Sequence, residues 1–490
     1  CRVGRCGVTC NVGFADCDGV ADNGCEADLR SNAANCGTCG FRCSPANGVG
    51  ACSAEGCTLA ACNAGFADCD RDPSDGCETA LRRDARNCGG CGVACGPGTV
   101  CTEGRCEAPA GSLFVDGTVV INTVAASLNA GAGALTLTVS QPTGAFAVGQ
   151  RVLLHQTQGA ADVAGRYELR RITAVSGALL TIDAPLQNAY ASTGNARAQA
   201  VVVPEYAAVT VTARGSLSAP PWDGRVGGIL ALWSTGDVEV LGTVSMDGRG
   251  FRGAQHPCQA GRLYQCAVGV QGESSLGAGR AAITANGGGG GGGSSGQDCA
   301  AGGGGGYALA GASGSQGDCN GGSFGECTSA CPNLGGTGGF ALPLRPLSAV
   351  ASFGGAGGEG GADEDGAFPG AGGNGGGMIL LRVQGALRVG GTITSSGASG
   401  RNGNQADCGG AGCGMGGGGG GAGGAIRLDV DGAAQLGEGR VLAIGGTGGL
   451  CSCRIIDLSR AAPGGEGGLG RVAVRAAGLS GSTSPAAERE

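Results

Sequence analysis

The sequence predicts an all-β protein: a disulfide-rich repeat array, then a β-sandwich or barrel, then a layered β domain with a polyglycine-II helix lattice. Three observations predict it. A pattern of cysteines within residues 1–106 occurs twice. Residues 110–221 are dense in Val, Thr, Ile and Leu, with turn residues between short segments and no helix-period pattern of useful length. From 222 to 478, short alternating apolar segments return between glycine runs, and 479–490 reads as a flexible tail.

Composition narrows the classes. Glycine fills 110 of 490 positions, while aromatics make up 3% and charged residues 14%, so a large aromatic core is not expected. Collagen is excluded because runs such as Gly287 to Gly293 break the strict three-residue glycine period. The return of apolar strands, with cysteines set inside the glycine runs, argues against a flexible glycine linker. A net charge of −8 points away from nucleic acid. All 31 basic residues are arginines, so Lys–Asn isopeptide cross-links cannot form. No apolar stretch reaches the ~18 residues that a membrane-spanning helix requires. Twenty-eight cysteines against two histidines imply an oxidising, extracellular setting.

The array consists of two units, Cys10–Cys57 and Cys62–Cys106, after a partial repeat. Cys10, Cys17, Cys25, Cys36, Cys39, Cys43, Cys52 and Cys57 align with Cys62, Cys69, Cys77, Cys88, Cys91, Cys95, Cys101 and Cys106. A unit this short cannot bury enough apolar surface to fold unaided, so covalent staples substitute for a core. Connectivity stays open at this level. Zinc is the competing account of Cys36/Cys39 and Cys88/Cys91, but no histidine lies in the region and each unit carries eight cysteines where a site needs four. The chain starts on Cys1, so a longer precursor is expected, with Cys1–Cys6 as the end of an upstream repeat rather than a lipid anchor.

Asp16, Asp18 and Glu26 match Asp68, Asp70 and Glu78 in the second unit, which adds Asp72. Alternating carboxylates followed by glycine and glutamate suggest an oxygen-rich calcium loop, and Ca2+ is the one candidate cofactor. The spacing departs from the EF-hand pattern, and the alternative is a solvated Asp–Gly turn.

In the β-rich segment, TVVINTVAASL, ALTLTVS, QRVLLHQ, RYELRRITAV, ALLTIDAPL, AQAVVVP and AVTVTA are strand candidates at short intervals, as in an antiparallel sandwich or barrel. His155 lies in one of them without an acid or nucleophile partner and reads as an ordinary strand residue.

The glycine-rich part opens with WDGRVGGILALWSTGDVEVLGTVSMDGRGFRG, from Trp222. Related blocks begin at Gly376, Gly423 and Gly470, each opening on glycines, running through an alternating apolar strand and turning at a Gly. Such repetition builds stacked layers. Glycine helices of three residues per turn can pack side by side because no Cβ separates them, their N–H and C=O groups bonding between neighbours. Ordering glycine is entropically costly, so strands and disulfides must close the lattice. Cys258, Cys266, Cys299, Cys319, Cys327, Cys331, Cys408 and Cys413 are the bridge candidates here; Cys451 and Cys453 are too close for an unstrained mutual bridge.

Residues 1–106, through GFADCD…GCE…NCGGCGVAC, resemble the Cys-rich tandem repeats of myxobacterial-type surface proteins, and the resemblance implies an extracellular stalk. Residues 222–475, through WDG…GFRG and the GG.I.L.V blocks, resemble bacterial glycine-rich surface and tail-fibre-like proteins. That resemblance implies a polyglycine-II-type lattice and a role in surface contact or adhesion. GFRGA departs from the usual GFRGG, and the insert Asp363–Asp365 adds an acidic patch.

No G-x-S-x-G, H-E-x-x-H or Walker A sequence occurs, and glycine-run matches to G-x-G-x-x-G open no helix. With His155 and His256 the only histidines, activated cysteines have little to work with. The expectation is a non-catalytic, secreted or cell-surface structural protein, an adhesin or fibre subunit able to self-associate. The alternative is a glycan- or partner-binding module contacting through the Cys-containing loops. An enzyme within 110–220 ranks third.

Overall fold

A computed structural model describes residues 8–94, 100–107, 111–255, 268–294, 300–316, 334–343, 345–361, 369–403, 416–450 and 463–489. All regular elements among them are β-strands. The chain divides into two compact units, residues 1–110 and 111–490.

The first unit consists of two-stranded ribbons: β1 (Phe14–Ala15) with β2 (Ala27–Asp28), β3 (Gly48–Ser53) with β4 (Gly56–Cys62), β5 (Phe66–Ala67) with β6 (Thr79–Ala80), and β7 (Val100–Thr102) with β8 (Arg105–Glu107). Bridges Cys10–Cys25, Cys17–Cys39, Cys36–Cys52 and Cys43–Cys57 staple the first repeat. Cys62–Cys77, Cys69–Cys91 and Cys88–Cys101 reproduce the first three in the second repeat. Both cysteines of each C-x-x-C pair thus have other partners, which removes the zinc account. Loops of 13 to 22 residues are closed, and closing a ~15-residue loop removes about 3 kcal/mol of unfolded-state entropy in the chain-entropy model. Cys95, the side chain of Cys106, and the ten cysteines from Cys258 to Cys453 lie outside the described residues, as do His256 and Asp363–Asp365.

The second unit opens with β9 (Leu113–Val115) and β10 (Thr118–Val120). A closed six-stranded barrel follows: β11 (Ala125–Asn129), β12 (Thr136–Ser140), β13 (Arg151–Gln158), β14 (Tyr167–Ser176), β15 (Leu179–Ile182) and β16 (Arg197–Val203). Its neighbours are antiparallel, and period-two alternation directs Leu128, Leu137, Val152, Leu154, Ile172 and Leu180 inward.

After the barrel the chain winds through triplets of short strands. These are β17 (Glu205–Tyr206), β18 (Val209–Val211) and β19 (Ser216–Ser218), then β20 (Ile229–Ser234), β21 (Val238–Val240) and β22 (Thr243–Ser245). The next coils are β23 (Met378–Val383), β24 (Leu387–Val389) and β25 (Thr392–Thr394), then β26 (Ala425–Val430), β27 (Ala433–Gln435) and β28 (Val441–Leu442). The last are β29 (Arg471–Arg475), β30 (Gly478–Ser480) and β31 (Thr483–Ser484), followed by β32 (Glu488–Arg489). Each strand pairs in parallel with its counterpart one coil away, giving three six-stranded parallel sheets in a β-helix-like stack. The four glycine-opened blocks are successive coils of this stack. Strict register aligns like residues: Leu230, Ile379, Ile426 and Val472 form one buried file, and Leu232, Leu381, Leu428 and Val474 another. Each such side chain contributes roughly 1.5–3 kcal/mol on burial.

The outer face of the same sheet carries a file of opposite character. Glu205, Trp233, Arg382, Asp429 and Arg475 occupy one register position. Arg151 stacks on the Trp233 ring at 3.7 Å and binds Glu205 at 2.7 Å. Arg382 and Arg475 bind Asp431 at 2.6 and 3.0 Å.

The glycine runs leave the stack after β22, β25 and β28, and pack through their main chains. Gly418 and Gly421 donate to the carbonyls of Arg401 and Ala398, Gly419 and Ala422 to Gly358 and Gly355, and Gly420 and Gly423 to Gly465 and Gly468. Every third residue therefore addresses the same neighbour, and three neighbours surround one run. A Cβ at Gly305 would fall on the Gly355 carbonyl oxygen, and one at Gly419 on that of Gly303.

Candidate functional site

An open polar cleft of about 660 Å³ lies in the second unit, lined by Ser127, Ser140, Gln141, Ser192, Gly194, Arg197, Asp223, Gly224, Arg225 and Arg252. The volume falls within the few-hundred to ~1,000 Å³ range of small-ligand sites. Two sources supply the lining. The barrel contributes Ser127 and Ser140, which face each other across β11 and β12, and Arg197 at the start of β16. The parallel stack contributes Asp223, Gly224 and Arg225 before β20 and Arg252 beyond β22.

Local packing fixes the second group. The Trp222 main-chain N–H donates to the Arg249 carbonyl at 2.9 Å, and the Trp222 ring meets Phe251 edge-on at 6.4 Å. Asp223 Oδ1 accepts from the N–H groups of Arg225 and Val226, both at 2.7 Å, a tight Asx turn. Gly224 sits at φ +96°, where a Cβ would lie 2.6 Å from the Arg252 guanidinium. Only glycine leaves Arg252 this path.

Arg252 is fixed from behind. Its Nε donates at 3.0 Å to Glu273, whose side chain is 6% exposed, and its Nη1 donates to the Asp223 carbonyl at 3.0 Å. Gln158 Nε2 also donates to Glu273, at 3.0 Å. The Glu273 bond raises the Arg252 pKa above the ordinary arginine value. Arg225 Nη1 donates to the Gln141 carbonyl at 2.7 Å, and its nearest carboxylate, Asp223, is 3.9 Å away. Arg197 Nη1 donates to the carbonyls of Gly194 and Ala196 at 2.6 and 2.7 Å. Ser127 is 7% exposed, and among the described residues its hydroxyl has no hydrogen-bond partner.

The residues expected from sequence lie elsewhere. Asp16, Asp18 and Glu26 do converge, as do Asp68, Asp70 and Glu78, whereas Asp72 stays outside the group and accepts from Ser74. Asp16, Asp18 and Glu26 already accept the N–H groups of Gly19, Val20 and Cys17 at 2.7, 2.9 and 2.7 Å. These bonds account for the carboxylate positions as turn caps.

His155 is fully buried, not merely a strand residue. Its ring stacks 5.8 Å from Phe353, Nε2 donates to the Ala351 carbonyl at 2.9 Å, and Nδ1 accepts from the Thr157 hydroxyl at 2.9 Å. Burial lowers its pKa to about 4.

Arg197, Arg225, Arg252 and the serines were not legible as a site, because 125 residues of sequence separate Ser127 from Arg252. The usable signal was the pair of motifs WDGR and GFRG: Trp222 and Phe251 pack together, and Asp223, Gly224, Arg225 and Arg252 reach the cleft.

No family model matches this chain. No curated protein matches it. Among solved structures, it aligns with the tailspike protein gp49 of Pseudomonas phage LKA1 at 17% identity, over 27% of each chain, with a TM-score of 0.17. It also aligns with the gp54 tailspike of Acinetobacter baumannii bacteriophage AP22, in complex with A. baumannii capsular saccharide. There the identity is 12%, over 28% of this chain and 26% of that one, with a TM-score of 0.15. The chain spans about a quarter of the length of these tailspikes. The expectation of a non-catalytic chain is corrected at this point. Both of these solved structures are tailspikes, the second in complex with a capsular saccharide, and the chain is not classed as a non-enzyme.

Proposed function

We propose that this is an extracellular saccharide-binding protein acting at a cell surface, with the polar cleft as its binding site. The cleft's composition carries the reading. Sugar hydroxyls are recognised by fixed donors and acceptors, and here three serines, Gln141, Asp223 and three arginines line one open volume of about 660 Å³. A closed barrel and a stack of parallel coils hold those groups in place, so little ordering entropy is lost on binding. Disulfides at the density of the first unit belong to an oxidising, extracellular environment. No described helix is long and apolar enough to cross a membrane. In the same reading the glycine runs form a polyglycine-II bundle, with the three-residue spacing of their lateral bonds as support.

A glycan array probed with the intact chain tests the proposal. Ser140 is exposed on a barrel strand, so Ser140→Trp fills the cleft without disturbing a core. Saccharide binding that disappears in this variant, with an unchanged thermal transition, is the expected result. Binding that survives it would place recognition elsewhere. Mass spectra of the recovered saccharide report whether binding is accompanied by cleavage.

A further inference from the structure

We infer that the cleft selects acidic saccharides, whose carboxylate or sulfate is held by Arg197 and Arg225. The inference rests on the saccharide-binding reading and adds the charge of the ligand to it. Three guanidinium groups and one carboxylate line the cleft, a local excess of positive charge on a chain of net charge −8. Arg252 is neutralised by Glu273 and serves as structure. Arg197 and Arg225 are different. Each spends Nη1 on main-chain carbonyls, which aims the group, and among the described residues neither has a carboxylate closer than Asp223, 3.9 Å from Arg225. The remaining N–H groups present the planar fork that oxyanions accept in bidentate fashion.

Ser127 supplies a second, independent observation. The residue is 7% exposed, lines the cleft, and its hydroxyl has no hydrogen-bond partner among the described residues. The hydroxyl borders open solvent in the cleft, and a ligand hydroxyl can replace the water that otherwise satisfies it. A neutral sugar uses the serines and Gln141 but leaves both guanidinium forks unfilled. An acidic sugar uses both sets.

Calorimetric titration of the whole chain with a galacturonate trisaccharide, a sulfated galactose trisaccharide and the neutral galactose trisaccharide tests this. Galacturonate, the sulfated sugar or both should bind at least about tenfold more tightly than the neutral one, with affinity falling as salt rises. Arg225→Gln and Arg197→Gln should each remove about tenfold of that preference. Arg225→Lys should restore only part of it, because the charge returns without the fork. Ser127→Ala leaves no protein partner stranded, so it should weaken binding while leaving the thermal transition unchanged. Equal binding of acidic and neutral sugars, or a preference insensitive to both glutamine variants, overturns the inference and leaves saccharide binding standing. Failure of all three sugars here, together with a blank glycan array, defeats both.

Discussion

His155 shows how a single side chain joins separate parts of the second unit. Gln199 donates to Thr157, Thr157 donates to His155, and His155 donates to the Ala351 carbonyl, while Gln199 also bonds Gly227 through both amide atoms. The relay requires a neutral imidazole. With a folded pKa near 4 against 6.5 when solvated, the unfolded chain binds the extra proton first as pH falls. Stability contributed by this group is therefore complete above about pH 6.5 and declines between 6.5 and 4. At about 1.4 kcal/mol per pH unit the loss approaches roughly 3 kcal/mol. Denaturant melts across that range should show the decline, and a His155→Gln variant should lack it; identical slopes would refute the assignment. Glycine matters at this scale too. Gly305→Ala sets a methyl group on the Gly355 carbonyl, whereas Gly478→Ala meets open space. The first should lower stability by more than about 2 kcal/mol, through overpacking and lost lateral bonds, and the second by a few tenths. Paired thermal melts compare them directly.

At the scale of elements, the inner and outer files of the parallel sheet make opposite predictions. Leu381, 2% exposed between Leu232 and Leu428, should cost about 2–5 kcal/mol when truncated to alanine. Asp431→Asn on the outer face breaks solvent-exposed pairs to Arg382 and Arg475, and the midpoint of denaturation should not move measurably. A large shift for Asp431 would mean the outer file is a supporting network. The sequence made the first strand of each coil plain, since Ile379–Val383 and Ile426–Val430 alternate cleanly. It left the third strands obscure. Thr243–Ser245 and Thr392–Thr394 are short and mostly polar, and only stacking on their counterparts makes strands of them. Likewise β10 pairs with β19 across the whole barrel, a long-range contact that local pattern does not encode. The cleft failed to show for the same reason: its groups come from two architectures and meet only in the fold. The repeat array was the opposite case: the cysteine register alone aligned the two units, although the pairings within them appear only in the fold.

For the whole molecule, two kinds of cohesion sit in one chain. The seven bridges among the described residues all belong to the first unit, while the described part of the second unit coheres through stacked aliphatic files and main-chain bonds. Calorimetry should resolve two transitions, and reductant should abolish the one from the first unit while the other persists. Loss of both would show that the second unit also relies on its cysteines. The glycine bundle has a further consequence. An endopeptidase needs a side chain to fill its specificity pocket and an extended main chain to pair with its own binding strand. Residues 416–424 offer almost none of the first, and their amide groups are already committed to three neighbours. Material built this way gives digestive enzymes little to read and little to hold.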